Sequence, residues 1–271
     1  MANSPSGDSL ITRIVRILST LDAGQPPLTA TAIARFADLP VATVHRLVAE
    51  LSSIGWLVKD EQGRIGLGLG LWELAHRARS PFTHLLTIAR PAMQEVQRAV
   101  GQNTQLGVLT GDGDDVLYLE CYSGEGSVEN AARTATRLPA YNSSAGHAIV
   151  AFADRAMRES FIADWEPRLP GLRQRLVAVR TTGHAVVEGM MHAGTAGVSV
   201  PVREPGLEVV AALSVVVPRD PAVIAAVIGP LTAGAERITE TLRAALVAAR
   251  TDVTARAVLN EREGRSAARA S

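Results

Sequence analysis

Apolar residues recur at three- and four-residue intervals from near the start of the chain. Leu10, Ile11, Ile14, Val15, Leu18 and Leu21 keep this spacing and predict a helix that Gly24-Gln-Pro-Pro ends. Thr29 is a candidate N-cap for a second short helix carrying Ile33 and Phe36. Asp38-Leu39-Pro40 reads as a turn, with Pro40 suited to the first position of a third helix. That helix carries the stripe Val44, Leu47, Val48 and Leu51 and stops at Gly55. Two short strands, Trp56–Asp60 and Arg64–Leu67, then flank a turn containing Gly63.

Helix, helix, turn, helix and hairpin is the order of a winged helix-turn-helix. In that motif the second helix braces the third, and the third presents its outer face to the major groove. Here the outer face carries Ala42, Thr43, His45, Arg46 and Ala49. Arg46 can meet guanine through a two-pronged contact, and Thr43 lies within the same helical turn. Lys59 and Arg64 flank the turn of the hairpin and suit a neighbouring phosphate backbone or minor groove. The same element order also serves a helical hairpin that contacts protein, with Arg46 merely solvated, so two readings stand at this point.

Farther along, Leu69 to Arg79 predicts a helix broken at Ser80-Pro81, and His84 to Val100 predicts another ended by Gly101. Residues 101–218 alternate strands and turns. Thr104–Thr110 and Val116–Tyr122 surround an Asp/Gly turn, and a second hairpin, Gly194–Arg203 with Leu207–Val217, closes on Glu204-Pro-Gly206. Helices are expected near Ala145–Phe152, Arg155–Trp165 and Leu172–Thr182. Pro221–Arg250 is mostly helical by pattern, and the Arg/Ala/Glu-rich stretch from Thr251 reads as a mobile tail. The expected fold class is α+β: a winged helix-turn-helix at 8–68, a linker helix at 69–82, a sensor-like domain at 83–250 and a tail at 251–271.

Composition narrows the function classes. Forty-seven per cent of the 271 residues are hydrophobic, which supplies a packed core, and 27 Lys+Arg balance 27 Asp+Glu. Residues 1–80 hold eight basic and seven acidic residues, so a role on DNA must rest on where the arginines sit. The longest aliphatic stretch, Val209–Val217, is too short to span a bilayer, and the N-terminus lacks a signal-peptide pattern; a cytoplasmic protein with no membrane partner is expected. Cys121 is the only cysteine, which excludes a disulfide framework. It alternates onto the strand face of Leu117 and Leu119 and reads as a small core residue. The six histidines show no His-x-His or His-Glu-x-x-His spacing, Asp112, Asp114 and Asp115 lack calcium-loop spacing, and no nucleophile elbow or phosphate loop is present. No metal, cofactor or catalytic residue is assigned.

Four stretches in register resemble the IclR family of bacterial transcriptional regulators. They are Leu28–Leu51 with Gly55-Trp-Leu-Val-Lys-Asp and Gly63-Arg-Ile-Gly-Leu-Gly; Ala89-Arg-Pro-Ala-Met through Val116-Leu-Tyr-Leu-Glu; Arg137-Leu-Pro-Ala-Tyr-Asn-Ser-Ser-Ala-Gly-His-Ala; and Gly183-His-Ala-Val, Gly197-Val-Ser-Val-Pro-Val-Arg and Val210–Pro218. The resemblance implies a GAF-like effector-binding domain, homodimers or dimers of dimers, double-stranded operator DNA as partner, and a small organic acid as effector. It implies a regulator, read here as a repressor. A sensor or scaffold protein and a small-molecule enzyme are the competing classes. Relatives often carry basic or hydroxyl residues where Val41, Ala42 and Gly70 stand here.

For the effector, Ser143 is a natural N-cap, and a helix start with free amides at Ala145 and Gly146 suits a carboxylate, with Ser144 in the same turn. Gly146 would allow close approach of the ligand. By register with relatives that bind very small acids, the acidic residue, cysteine and two serines of the pocket fall at Val187, Gly197, Ser214 and Val216, of which only Ser214 keeps its polar group. A more apolar pocket for a larger or aromatic acid follows, with Leu106, Val108, Leu119 and Met191 as candidate walls.

Overall fold

The computed structural model describes residues 8–21, 26–77, 81–203 and 209–269. The expected breaks at Gly24, at Ser80 and at Glu204-Pro-Gly206 lie outside these. The chain divides into two compact units, Met1–Ser80 and Pro81–Ser271.

In the first unit, α1 (Leu10–Leu18) is followed by β1 (Leu28–Thr29), α2 (Ala30–Phe36), α3 (Val41–Ser53), β2 (Leu57–Lys59), β3 (Arg64–Leu67) and α4 (Leu69–Arg77). The Thr29 hydroxyl accepts from the Ala32 amide and starts α2, as the sequence predicts. Pro40 stands one step earlier than expected, as the N-cap rather than the first residue of α3. The core is Ile17, Ile33, Val44, Leu47, Val48, Leu51, Leu57 and Ile65, so the stripe of α3 is the face that α2 and the sheet cover. The hairpin gains a third strand not foreseen, in the order β1-β3-β2. A Cβ at Gly68 would lie 2.2 Å from the Gly55 carbonyl oxygen and one at Gly70 would lie 3.0 Å from it. The Gly70 amide donates to that same oxygen at 2.9 Å, so a side chain there would press on the Gly55 backbone.

The second unit holds α5 (Pro81–Val100), β4 (Asn103–Leu109), β5 (Asp115–Tyr122), β6 (Arg137–Pro139), a 3-10 turn at Ala140–Asn142, α6 (Ser144–Phe152), α7 (Arg155–Trp165), α8 (Leu172–Thr182), β7 (Ala185–Glu188), β8 (Thr195–Arg203), β9 (Val209–Pro218) and α9 (Pro221–Arg269). The strands form one antiparallel sheet in the order β6-β5-β4-β9-β8-β7. Alternation splits its side chains between two layers. Leu106, Val108, Val198, Leu213 and Val215 meet α5 and α9; Val116, Tyr118, Ala185 and Ala212 meet α6 and α8. The segment Pro221–Ala248 is long and apolar enough to cross a membrane by those measures alone. Its Ile224, Val227, Leu231, Ala235 and Ile238 are buried on the sheet, which makes it a core helix. The helical backbone continues to Arg269, where the sequence suggests a tail.

One irregularity changes what the sheet presents. Leu106 pairs with Glu120 and Gly107 with Tyr118, which leaves Leu119 as an extra residue in β5. Such a bulge shifts the alternation. Cys121 therefore packs with the α6 layer, not on the face of Leu117 and Leu119 as expected.

Candidate effector site and DNA-binding face

The site in the second unit is built where α6 begins above the sheet. Ser143 caps the helix, its Oγ accepting from the Gly146 amide at 3.0 Å. The Gly146 amide is thus engaged, contrary to expectation, and the amides of Ser144 and Ala145 are the ones left without an acceptor within the helix. Gly146 has a packing role instead: a Cβ there would lie 2.1 Å from the Ala140 carbonyl oxygen, so only glycine lets α6 start against the preceding turn. That turn is held by Tyr141, which stacks on Trp165 of α7 at 4.3 Å, and by His147, whose Nε2–H donates to the Tyr141 carbonyl at 2.8 Å. His147 is buried, and desolvation lowers its pKa to about 4.

A cavity opens beside the Ser143–Ser144 helix start. Of the predicted residues, Ser143, Ser144, Val187, Met191, Gly197 and Val216 line it. Leu106, Val108 and Leu119 do not, because alternation turns them to the α5 and α9 side of the sheet. Ala145 is fully buried in the helical layer behind the cavity. Gln105, Tyr118, Asn142, His192 and Thr195 line it without having been foreseen, together with residues 129–132. Sequence alternation offers Gln105, since Leu106 next to it faces the other way; Asn142 and 129–132 sit in turns that carry no periodic signal. Asn103 fastens the 123–132 segment: its Nδ2 donates to the Val128 carbonyl and its Oδ1 accepts from Ser127.

Three serines run from the sheet to the cavity wall. Ser199 Oγ donates to Ser144 Oγ at 2.7 Å and contacts Ser214 Oγ at 2.6 Å. Ser199 has one hydroxyl proton and spends it on Ser144, so Ser214 donates to Ser199. Among the described residues no acceptor takes the Ser144 proton, and Ser144 alone of the three lines the cavity. The chain therefore ends in a buried O–H donor beside the two amides of the helix start. Gly197 makes room for it, since a Cβ there would lie 2.6 Å from Ser144 Oγ. Ser214 sits one step behind the wall, not in it. In the turn that leads into α6, Asn142 Oδ1 is buried without a hydrogen-bond partner, while its Nδ2 donates to Met191 Sδ at 3.6 Å. Burial raises the Tyr118 hydroxyl pKa, so it stays a neutral phenol. Burial also pushes the Cys121 thiol up to about 12, which leaves it no nucleophilic thiolate. No group of three or more metal-ligating side chains occurs among the described residues.

In the first unit, Ala42, His45 and Arg46 are exposed on the outer face of α3, and Thr43 is half-buried. Arg46 pairs with Glu50 at 2.7 Å, one turn on. At the hairpin, Arg64 pairs with Asp60 at 2.6 Å, and Asp60 also accepts from the Gln62 and Arg64 amides. Lys59 is exposed. These are surface pairs that water screens and a phosphate can displace.

Residues 10–61 match the IclR helix-turn-helix domain, and residues 81–252 match the C-terminal domain of bacterial IclR transcriptional regulators. The chain belongs to the IclR family. Its helix-turn-helix is a DNA-binding domain and its second unit an effector domain, so it is a transcriptional regulator of IclR type. An IclR homologue from Microbacterium hydrocarbonoxydans, solved in complex with 4-hydroxybenzoate, is 38% identical, with a TM-score of 0.78 over 87% of this chain and all of that one. A second, from Microbacterium sp. strain HM58-2, is 37% identical with a TM-score of 0.53, covering 87% of this chain and 98% of that one. The regulator KipR of Bacillus subtilis is 26% identical over 200 residues, 70% of this chain and 79% of that protein. These IclR relatives are regulators rather than enzymes.

Proposed function

We propose that this protein binds operator DNA in the cytoplasm as a homodimer or dimer of dimers, and that an aromatic carboxylic acid of the hydroxybenzoate class shifts that binding. The observation that carries the effector reading is the serine chain ending in the Ser144 hydroxyl beside the α6 amides. It offers a carboxylate the neutral Ser144 hydroxyl and amide as donors, without a cation. Val187, Val216 and Leu138 supply apolar wall for a ring, and the orphan Asn142 Oδ1 is an acceptor for a ring hydroxyl. The 4-hydroxybenzoate complex of the 38%-identical homologue supports this choice. The cavity is tight for a ring. Met190 and Met191, 36% and 40% exposed, are flexible thioethers and form the part of its wall able to yield. Ala42, Thr43, His45, Arg46, Lys59 and Arg64 are the proposed DNA contacts. The acid acts through its differential affinity for the protein's DNA-competent and incompetent states.

The test is thermal melting of the full chain with benzoate, 4-hydroxybenzoate and glyoxylate. We expect stabilisation in the order 4-hydroxybenzoate, benzoate, glyoxylate, and a loss of about tenfold or more in affinity for the benzoates in Ser144→Ala. Glyoxylate stabilising more than the aromatic acids would overturn the effector assignment.

A further inference from the structure

The first turn of a recognition helix is where base edges are read. In this chain the first two positions of that turn carry no hydrogen-bonding side chain, and Thr43, which does, is half-buried. Val41 opens α3 and is 44% exposed, and Ala42 beside it is exposed as well. The buried stripe of the helix, Val44, Leu47, Val48 and Leu51, does not use either of them. Neither side chain can donate to or accept from a base. The one apolar feature that a base pair presents in the major groove is the C5-methyl group of thymine. One turn on from Ala42, Arg46 shares the outward face and keeps donors beyond its bond to Glu50.

We propose that Val41 and Ala42 read thymine methyl groups, so that each half-site carries thymine beside the guanine that Arg46 meets. This makes Val41 and Ala42 specificity-determining residues. It rests on the reading of α3 as the helix that enters the groove. Val41 takes part through its position at the edge of the proposed DNA-contacting face of α3. A thymine-rich contact is selected by apolar burial, not by charge, so it adds no salt dependence.

The experiment begins with the full-length protein and a randomised DNA duplex library. Enriched duplexes are then remade with each thymine replaced singly by deoxyuridine, which removes only the methyl group. We expect at least one position in each half-site where this weakens binding about fourfold, the value of one buried methyl. Val41→Ser should bind the thymine duplex more weakly and lose the distinction between thymine and uracil at that position. Enrichment with unchanged affinity for every uracil duplex overturns the methyl reading and leaves the DNA-binding assignment standing. Failure to enrich any duplex overturns both.

Discussion

At the residue scale, His147 shows how the start of α6 is tied to proton uptake. Burial is the largest cause of its shift, and the nearby positive charge of Arg175 works in the same direction; the bond to the Tyr141 carbonyl opposes both. Because the folded pKa of about 4 lies below the ordinary 6.5, the unfolded chain binds more protons between these values. The stability that neutral His147 confers is present above pH 6.5 and disappears as the pH falls towards 4. The shift corresponds to at most about 3 kcal/mol. Urea unfolding of the wild type and of His147→Gln, measured at pH 7 and pH 4.5, checks this: the wild type should lose more stability on acidification than the variant does. Equal losses would mean that other groups carry the acid sensitivity. Ser144 obeys a different logic. Its hydroxyl costs little where it stands because Ser199 donates to it, and its own proton gains value only when an acceptor enters the cavity.

At the scale of elements, the proposed DNA contacts give α3 and the hairpin different work. Arg46→Ala should cost about 1–3 kcal/mol of discrimination between the preferred duplex and a scrambled one, whereas Lys59→Ala should weaken binding to both alike and reduce the salt slope by about one. Fluorescence anisotropy at several salt concentrations separates the two; Lys59→Ala altering sequence preference would reverse the assignment of roles. These elements were legible in the sequence because each has a period of its own: the stripe of α3, the Thr29 cap and the glycine at position 63 are local signals. The boundaries of α7 and α8 were legible for the same reason. The cavity was only half legible. Ser143 and Ser144 are legible from the N-cap pattern and Val187 and Gly197 from register with the family, but the walls depend on which face of the sheet each strand residue takes. Leu106 and Val108 were assigned to the wrong face because nothing local says where α6 lies, and the bulge at Leu119 moved Cys121 across the sheet. Asn142 and the 129–132 segment are held by long-range bonds such as Asn103 to Val128, which no local pattern encodes.

At the scale of the whole molecule, the first unit leaves more apolar surface uncovered than its own core can use. On α1, Leu10, Ile11 and Val15 are 50%, 73% and 54% exposed, although Ile17 on the same helix is fully buried. On α4 no residue is buried, and Leu69, Trp72 and Leu74 face outward at 83%, 59% and 53%. Exposed apolar residues clustered on a helix in this way mark an interaction site. A second copy is the occupant the proposed function requires, since two copies of α3 reading two half-sites gain affinity that one copy lacks. Ile11→Glu tests this without touching the core of the unit, because Ile11 contributes nothing to that core. The wild type should behave in light scattering as a dimer or larger assembly, and the variant as a smaller species with unchanged far-UV circular dichroism. The variant should also retain weak binding to a single half-site while losing the added affinity for the full site. A wild type that is monomeric at micromolar concentration, or a variant that keeps both its size and its full-site affinity, would place the contact between copies on some other face.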